Sequence, residues 1–309
     1  MRILNYNIEY GGFEKKVDPT KYVELVQKYA IDIFICTESH LPKIDEKNVV
    51  DMEVYGEDTM KKVAKQLGYY YITTDDKAIT IISKYVLERT TVPEEHSSSA
   101  RLKEQSSFNV PFVYDVIYFN HRIKIIPIHL VDYPFTFYSL RNVPYPSTPM
   151  KFNNKKEIVD LSYSTKSSVV EKILQYIKNN PNEKIIIAGD FNEPSHLDDT
   201  NEWIVSKKFE EHGLIDSYRS VNKKVKLDKL GYNTDGATCC NLDEKTNEPL
   251  NRVDYIYTKN LSIVASYVLK EYVHYSDHLP VFTEVDIIDY GLLYMKYKLK
   301  YYLLKNELV

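Results

Sequence analysis

Cysteine is scarce in this chain of 309 residues, and basic residues are not in excess. Three cysteines, two of them adjacent at Cys239 and Cys240, do not provide the disulfide framework that staples small secreted domains. Cys36 lies in an apolar run, which indicates a small buried hydrophobe. The formal net charge of −4 argues against a protein that grips a long polyphosphate backbone, although a local cleft can still be positive.

Long apolar runs are also missing from the sequence. No stretch approaches the roughly 20 apolar residues that a membrane-spanning helix needs. The chain begins with Met1, Arg2 and a short strand-like run, and this pattern is not that of a signal peptide. We therefore expect a soluble, intracellular, cytoplasmic protein without integral membrane association. The sequence does not indicate an oligomeric state.

Polar motifs recur along the chain, each attached to an apolar run that predicts a β-strand. Side chains at strand ends can converge from several strands on one site, so this layout is typical of an active site. The motifs are Asn7 in ILNYNIEYGG, Glu38 in IDIFICTESH, Asp190 and Asn192 in IIIAGDFNEPSH, Arg252 to Asp254 in NRVDYIY, and Asp277 with His278 in YSDHLPVF.

The spacing of these motifs predicts one large domain over residues 1–287. Asn7 and His278 lie near opposite ends of the chain but belong to one motif set, so the residues between them should fold as a unit. The remaining residues, 288–309, are rich in Tyr, Lys and Leu and predict a helical tail. A solvated extension is the simplest interpretation of this tail, and contact with a membrane or a nucleic acid is the alternative.

Helical and strand patterns alternate along residues 1–287. Asp18 and Pro19 predict the start of a helix, and further helices are predicted over 57–67, over 155–180 and near 201–213. Apolar runs between them predict strands, which indicates an α/β sandwich with two facing sheets and outer helices. The proline-rich segment Tyr133–Phe152 is predicted to lack regular structure and to be a long loop near the site or on the surface.

Taken together, the five motifs resemble those of the endonuclease/exonuclease/phosphatase superfamily. The resemblance implies a four-layer α/β sandwich with two mostly antiparallel sheets, and divalent-metal-dependent hydrolysis of a phosphodiester by in-line attack of water. Mg²⁺ is the implied cofactor, with Mn²⁺ as a substitute. The tail also resembles Tyr-, Lys- and Leu-rich terminal tracts of giant DNA virus proteins, which hints at a viral protein acting in a host cell or virion.

Glu38 is the predicted metal ligand, because it follows an apolar strand and Mg²⁺ prefers one or two carboxylates together with waters. By resemblance, Asp277 lies near the metal and Asn7 orders Glu38 or a water, so both join the predicted metal site. Thr37 occupies a position where relatives often have glutamine, a departure that should affect fine geometry more than the reaction.

Asp190 and Asn192 are expected on one side of their strand, because alternate residues of an extended chain share a face. By resemblance, Asp190 orients or deprotonates the attacking water and Asn192 donates hydrogen bonds to the phosphate. The following Ser195 and His196 either support the site or only shape the turn.

His278 supplies a group that exchanges protons near neutral pH. By resemblance, His278 contacts the scissile phosphate, Asp254 fixes its tautomer, and His129 helps to protonate the leaving group. Arg141 and Arg252 join Asn192 as candidate substrate-binding residues, and Arg252 is expected to order this corner by ion pairing rather than to react.

These residues favour a metal-dependent phosphodiesterase, and a nuclease ranks slightly ahead of a lipid or small-molecule esterase of the sphingomyelinase type. Nucleic acid is therefore a candidate substrate, although the negative net charge argues the other way. A non-catalytic binding protein on the same scaffold is a further alternative, but it should lack the metal acid or the histidine of the last motif.

Overall fold

The structure is a computed structural model that describes residues 1–40, 59–74, 78–90, 112–141, 152, 154–198, 201–224, 235–240, 250–287, 297–298 and 301. For Phe137 and Arg141 the description covers the backbone alone.

The described strands form two six-stranded sheets. Sheet A has the order β11-β12-β1-β2-β4-β3, and sheet B has the order β5-β6-β7-β8-β10-β9. The strands are β1 (Arg2–Asn7), β2 (Ile33–Thr37), β3 (Tyr70–Thr73), β4 (Ile79–Ser83), β5 (Leu87–Thr90), β6 (Val113–Tyr118), β7 (His121–His129), β8 (Lys184–Asp190), β9 (Ile215–Asp216), β10 (Asp254–Lys259), β11 (Ser262–Val268) and β12 (Val281–Asp286).

Most neighbouring strands run antiparallel, and the pairs β1–β2 and β7–β8 are parallel. A parallel pair needs a long crossover, and helices supply part of it in both places. The helices are α1 (Glu9–Gly12), α2 (Pro19–Lys28), α3 (Thr59–Leu67), α4 (Thr136–Arg141), α5 (Lys155–Asn179), α6 (Ile204–Glu211), α7 (Ser217–Val221) and a 3₁₀ turn over Lys270–Tyr272.

Local sequence explains where the longer helices begin. The Asp18 side chain accepts a hydrogen bond from the Thr20 backbone at 2.8 Å, with Pro19 as the first residue of α2. Asn154 caps α5 in the same way through the backbone N–H of Glu157. Such caps satisfy N–H groups that have no partner inside the helix, so the predicted starts are confirmed.

Apolar side chains divide into layers that define the sandwich. Residues such as Ile35, Ile125 and Ile256 fill the space between the two sheets. A second cluster packs α2 and α3 on the outer face of sheet A, and a third packs α5 and α6 on the outer face of sheet B. The predicted four-layer α/β sandwich is confirmed.

One expectation differs from the structure. The segment Tyr133–Phe152 contains the helix α4, because its prolines lie on either side of residues 136–141 and leave that turn unbroken. The sulfurs of Cys239 and Cys240 lie in contact, and a bridge between adjacent residues would connect no separate elements of the fold.

The tail falls mostly outside the described residues, and those that are described, 297–298 and 301, are helical. The division into residues 1–287 and 288–309 stays a prediction. Within the described ranges, no helix is both long enough and apolar enough to cross a bilayer.

Candidate active site

Strand pairing brings the polar motifs to one edge of the sandwich. Asn7, His129 and Asp190 are the last residues of β1, β7 and β8. Asp254 is the first residue of β10 rather than a strand end, but β10 runs antiparallel to β8 and Asp254 pairs directly with Asp190. His278 likewise lies just before β12, which is antiparallel to β1.

The centre of the site is one oxygen of Asp190. Its Oδ2 accepts a hydrogen bond from Asn7 Nδ2 at 3.2 Å, and it lies 3.8 Å from His278 Nε2 and 3.9 Å from His129 Nε2. Glu38 approaches from sheet A, with its Oε1 at 2.9 Å from Asn7 Nδ2 and at 3.9 Å from His129 Nε2. Residues from both sheets therefore surround one space. This space, bounded by Asn7, Glu38, His129, Asp190 and His278, is the hollow of the candidate site.

Gly189 allows Asp190 to reach this place. Its φ is +152°, and a Cβ at this position would lie 1.6 Å from the backbone oxygen of Ile128 on the neighbouring strand β7. Because only glycine fits so close to another backbone, the Gly-Asp pair of the motif has a direct steric explanation.

Asn7 orients the two carboxylates. Its Oδ1 accepts the backbone N–H of Glu9 at 3.1 Å, so its amide nitrogen must face Glu38 and Asp190. The atom of Asn7 that faces the two carboxylates is its amide nitrogen, which cannot bind a cation, and its inclusion in the metal site stays a prediction. Its contacts fit the role of ordering Glu38.

His278 and Asp254 form a buried pair. His278 Nδ1 lies 2.7 Å from Asp254 Oδ2, and Thr238 Oγ1 holds the Asp254 backbone N–H at 3.2 Å. Burial raises the pKa of Asp254, against the opposing effect of the imidazole. Burial also disfavours the imidazolium, but the carboxylates of Asp254 and Asp277 outweigh it and raise the pKa of His278. The pair fixes one ring nitrogen and leaves Nε2 facing Asp190.

Asn192 reaches the site differently from the expectation. The strand ends at Asp190, and Asn192 has a φ of +47°, so the two residues do not share a strand face. Instead, the Asn192 backbone donates to Asp190 Oδ1 at 2.8 Å, and Asn192 Nδ2 donates to the Leu130 oxygen at 2.9 Å. A tight turn, rather than strand alternation, brings the Asn192 backbone to the Asp190 side chain.

Glu9 is a site residue that the sequence reasoning missed. Its Oε2 accepts the backbone N–H of Asp277 at 3.2 Å. The neighbouring Ser276 donates its hydroxyl to the backbone oxygen of Asn7 at 2.7 Å. Burial and the Asp277 carboxylate raise the pKa of Glu9 to about 7. Its position two residues after Asn7, in ILNYNIEYGG, was the available signal.

The raised pKa of Glu9 predicts how stability changes with pH in the metal-free protein. Between the ordinary value of 4.5 and about 7, folded Glu9 binds more proton than unfolded Glu9. The free energy of unfolding should therefore fall as pH rises through this window, and Glu9→Gln should flatten the dependence. Urea denaturation with a chelator at about pH 5 and about pH 7.5 measures this slope. Equal slopes in the two proteins would contradict the assignment.

The remaining predicted substrate-binding residues are Arg252, which lies away from the hollow, and Arg141. The side chain of Arg252 is 1% exposed and pairs with Asp198 and Asp216 at 3.0 and 2.7 Å. A guanidinium so enclosed has no free face towards the hollow, so these contacts fit the expected ion-pairing role rather than the candidate substrate-binding role. The Arg141 side chain lies outside the described part of the structure.

Ser195 and His196 shape the turn after Asn192. The Ser195 hydroxyl accepts the backbone N–H of Leu197, and the two ring nitrogens of His196 contact Ser206 and Glu210, each at 2.9 Å. These contacts lead away from Asp190 towards α6.

The donor set at the hollow suits a hard divalent cation. Glu38 Oε1 and Asp190 Oδ2 both lie within hydrogen-bond distance of one amide nitrogen, and their described ion-pair partners within 4.0 Å are histidines. Two carboxylates that converge around a neutral amide leave negative charge for a cation to balance. Oxygen donors of this kind are those that Mg²⁺ prefers.

No family model and no curated protein matches the sequence. Solved structures do match over most of the chain. An endonuclease/exonuclease/phosphatase from Beutenbergia cavernae is 15% identical with a TM-score of 0.55, covering 92% of this chain and 71% of that one. Truncated TDP2 from Caenorhabditis elegans is 13% identical with a TM-score of 0.51, covering 92% of this chain and 96% of that one.

A family protein from Bacteroides thetaiotaomicron is 14% identical with a TM-score of 0.51, covering 92% of this chain and 97% of that one. The structural similarity establishes a shared fold, but at identities this low the activity has to be argued from the residues of the site. The α/β sandwich of this chain therefore has the fold of the endonuclease/exonuclease/phosphatase family.

Proposed function

We propose that this protein is a divalent-metal-dependent phosphodiesterase. The observation that carries the proposal is the convergence on Asp190 Oδ2 of Asn7 from sheet A, His129 from sheet B and His278 from the loop before β12. Phosphate ester hydrolysis requires an acceptor for the proton of water, donors for the phosphate oxygens and a proton for the leaving group. The hollow contains a group for each task.

Glu38 would hold Mg²⁺ or Mn²⁺, and Asp277, which the resemblance predicts near the metal, would join it. When bound, the cation would neutralise charge on the non-bridging phosphate oxygens.

The remaining roles in the reaction are assigned to side chains of the protein. Asp190 is the acceptor for the water proton, because its Oδ2 is the point on which the other groups converge. The amide nitrogen of Asn192 has one N–H engaged with Leu130, so its second N–H is left for a phosphate oxygen. His278 Nε2 donates to the phosphate while Asp254 holds Nδ1, and His129 protonates the leaving oxygen.

We infer a nuclease or a related phosphodiesterase as the first candidate, with a lipid or small-molecule phosphoesterase as the alternative. The segments expected to select the substrate, 133–152 and 223–248, lie in part outside the described residues. A panel of single-stranded DNA, abasic duplex, RNA, sphingomyelin and a bis-aryl phosphodiester separates these classes. Folded protein that hydrolyses none of them with Mg²⁺ or Mn²⁺ would overturn the proposal.

Glu38→Gln should weaken Mg²⁺ binding and phosphodiester hydrolysis together. The substitution keeps the shape of the side chain but removes a charge from the cation site, and even outer-shell changes cost about 10–100-fold in metal affinity. Calorimetric Mg²⁺ titration and initial rates on the bis-aryl phosphodiester measure the two effects.

Glu284→Gln is the matched control for this experiment. Glu284 is a partly exposed glutamate on β12 of the same sheet, paired with Arg2 at the opposite edge. It should keep both metal affinity and rate. Equal Mg²⁺ affinity in Glu38→Gln and native protein would favour a non-catalytic scaffold or a different metal site.

A further inference from the structure

Lys166 is a buried cation behind the candidate active site. It lies in the middle of α5 and is 1% exposed, although its sequence context, STKSS, reads as a polar helix surface. A buried ammonium is unfavourable unless hydrogen bonds and opposite charge compensate it. Its neighbours therefore indicate why a lysine occupies this position.

Hydrogen bonds connect Lys166, through Ser162 on the same helix, to the two loops that follow β7 and β8. Lys166 Nζ donates to Ser162 Oγ at 3.1 Å and to the Tyr133 backbone oxygen at 3.5 Å. Ser162 Oγ in turn donates to Glu193 Oε2 at 2.5 Å. One helix thus ties the segment after His129 to the segment after Asn192.

Glu193 is as enclosed as Lys166. It is 2% exposed, and its second oxygen accepts the Val205 backbone N–H at 3.2 Å. Burial lowers the pKa of Lys166 and raises that of Glu193, while the attraction between the two groups opposes both effects. The Ser162 hydroxyl joins the charges into one buried relay.

The loops held by this relay carry the groups proposed to handle phosphate. Asn192 directly precedes Glu193, and its side chain bonds to Leu130, which directly follows His129. The Leu130 backbone N–H also donates to the backbone oxygen of Asp190 at 2.9 Å. A shift of either loop would move Asn192 and His129 relative to Asp190.

We infer that Lys166, acting through Ser162 and Glu193, is a positioning residue for Asn192 and His129. This inference rests on the proposed phosphodiesterase function. Among the described residues, the hydrogen bonds of Lys166, Ser162 and Glu193 do not include Glu38, so the relay should affect the placement of the phosphate-handling groups without affecting the cation site.

Lys166→Met tests the inference by removing the charge at similar side-chain length. Misplacement of reacting groups by about 1 Å costs on the order of 10²-fold, so kcat on a bis-aryl phosphodiester should fall by about 10–100-fold. Calorimetric Mg²⁺ affinity should stay at the native value. Backbone amide hydrogen exchange should become faster at Leu130 and Asn192, whose N–H groups bond to Asp190.

Lys124→Met is the matched control. Lys124 is also a buried lysine, with its Nζ 2.7 Å from Asp115 Oδ1, and it lies on β7 five residues before His129. Loss of either lysine should destabilise the fold, but only the Lys166 variant should lose kcat. If both variants lose kcat to the same extent at equal folded fraction, the positioning role is overturned.

Ser162→Ala decides the matter if the Lys166 variant does not fold. It removes only the hydroxyl that links the two charges, and it should produce a smaller loss of kcat with the same faster exchange at Leu130 and Asn192. Native kcat and native exchange in folded Ser162→Ala would overturn the inference. If native protein hydrolyses no phosphodiester, the proposed function fails, and unchanged exchange in these variants would separately reject the relay.

Discussion

His278→Asn is expected to lower the kcat of metal-dependent phosphodiester hydrolysis by about 10²–10⁴-fold, the usual contribution of a positioned acid or base. Asparagine can still bond to Asp254 at the position of Nδ1, but it has no group where Nε2 faces Asp190. The loss should therefore affect turnover more than folding. Initial rates at saturating substrate and a thermal melt of the same preparation measure the two properties.

His196→Asn is the control for this prediction. His196 is another largely enclosed histidine that contacts a carboxylate, but it bonds to Ser206 and Glu210 on α6, away from the hollow. Its replacement should keep kcat near the native value. A folded His278→Asn protein with native kcat would show that the imidazole takes no part in the reaction.

Arg252→Met is expected to lower the free energy of unfolding by about 3–5 kcal/mol, as found when one partner of a buried ion pair is removed. Arg252 bonds to Asp198 and Asp216, and Arg219 shares Asp198 at 2.7 Å. Without Arg252, Asp216 loses its described ion-pair partner while it stays buried. Urea denaturation monitored by circular dichroism measures the change.

Arg122→Met provides the comparison for Arg252. Arg122 also pairs with a buried aspartate, Asp115, at 2.6 Å, but its own side chain is 56% exposed and Asp115 keeps Lys124. Exposed pairs contribute roughly 0–1 kcal/mol, so this variant should be much less destabilised. Comparable losses in the two variants, or a raised KM as the main defect of Arg252→Met, would contradict the structural role.

Arg252 shows why sequence motifs need a structure to be interpreted. In NRVDYIY, Arg252 precedes Asp254, and the motif predicts an ion pair for Arg252 without indicating its partners. In the fold, Arg252 lies in an enclosed corner and bonds to Asp198 and Asp216, which are 54 and 36 positions away in the sequence. Long-range ion pairing of this kind leaves no periodic signal in a single sequence.

Residues in short turns were also beyond local prediction. The sequence pattern identified Asp190 and Asn192 correctly as neighbours, but it assigned them to one strand face. The positive φ of Asn192 and its hydrogen bond to Leu130 depend on β7 lying parallel to β8. Glu9 similarly becomes a site residue because the loop before β12 brings Asp277 to it.

Sequence alone determined the layers of this protein and most of the residues around its hollow. Alternating apolar runs, helix caps and strand-end polar groups are local features, and they act through hydrophobic burial and hydrogen bonds within a few residues. Tertiary structure decided which polar groups face the hollow and which support it, such as Arg252, Glu9 and Lys166. Their environments arise from segments distant in the chain, because burial and charge pairing depend on what packs around a side chain in space.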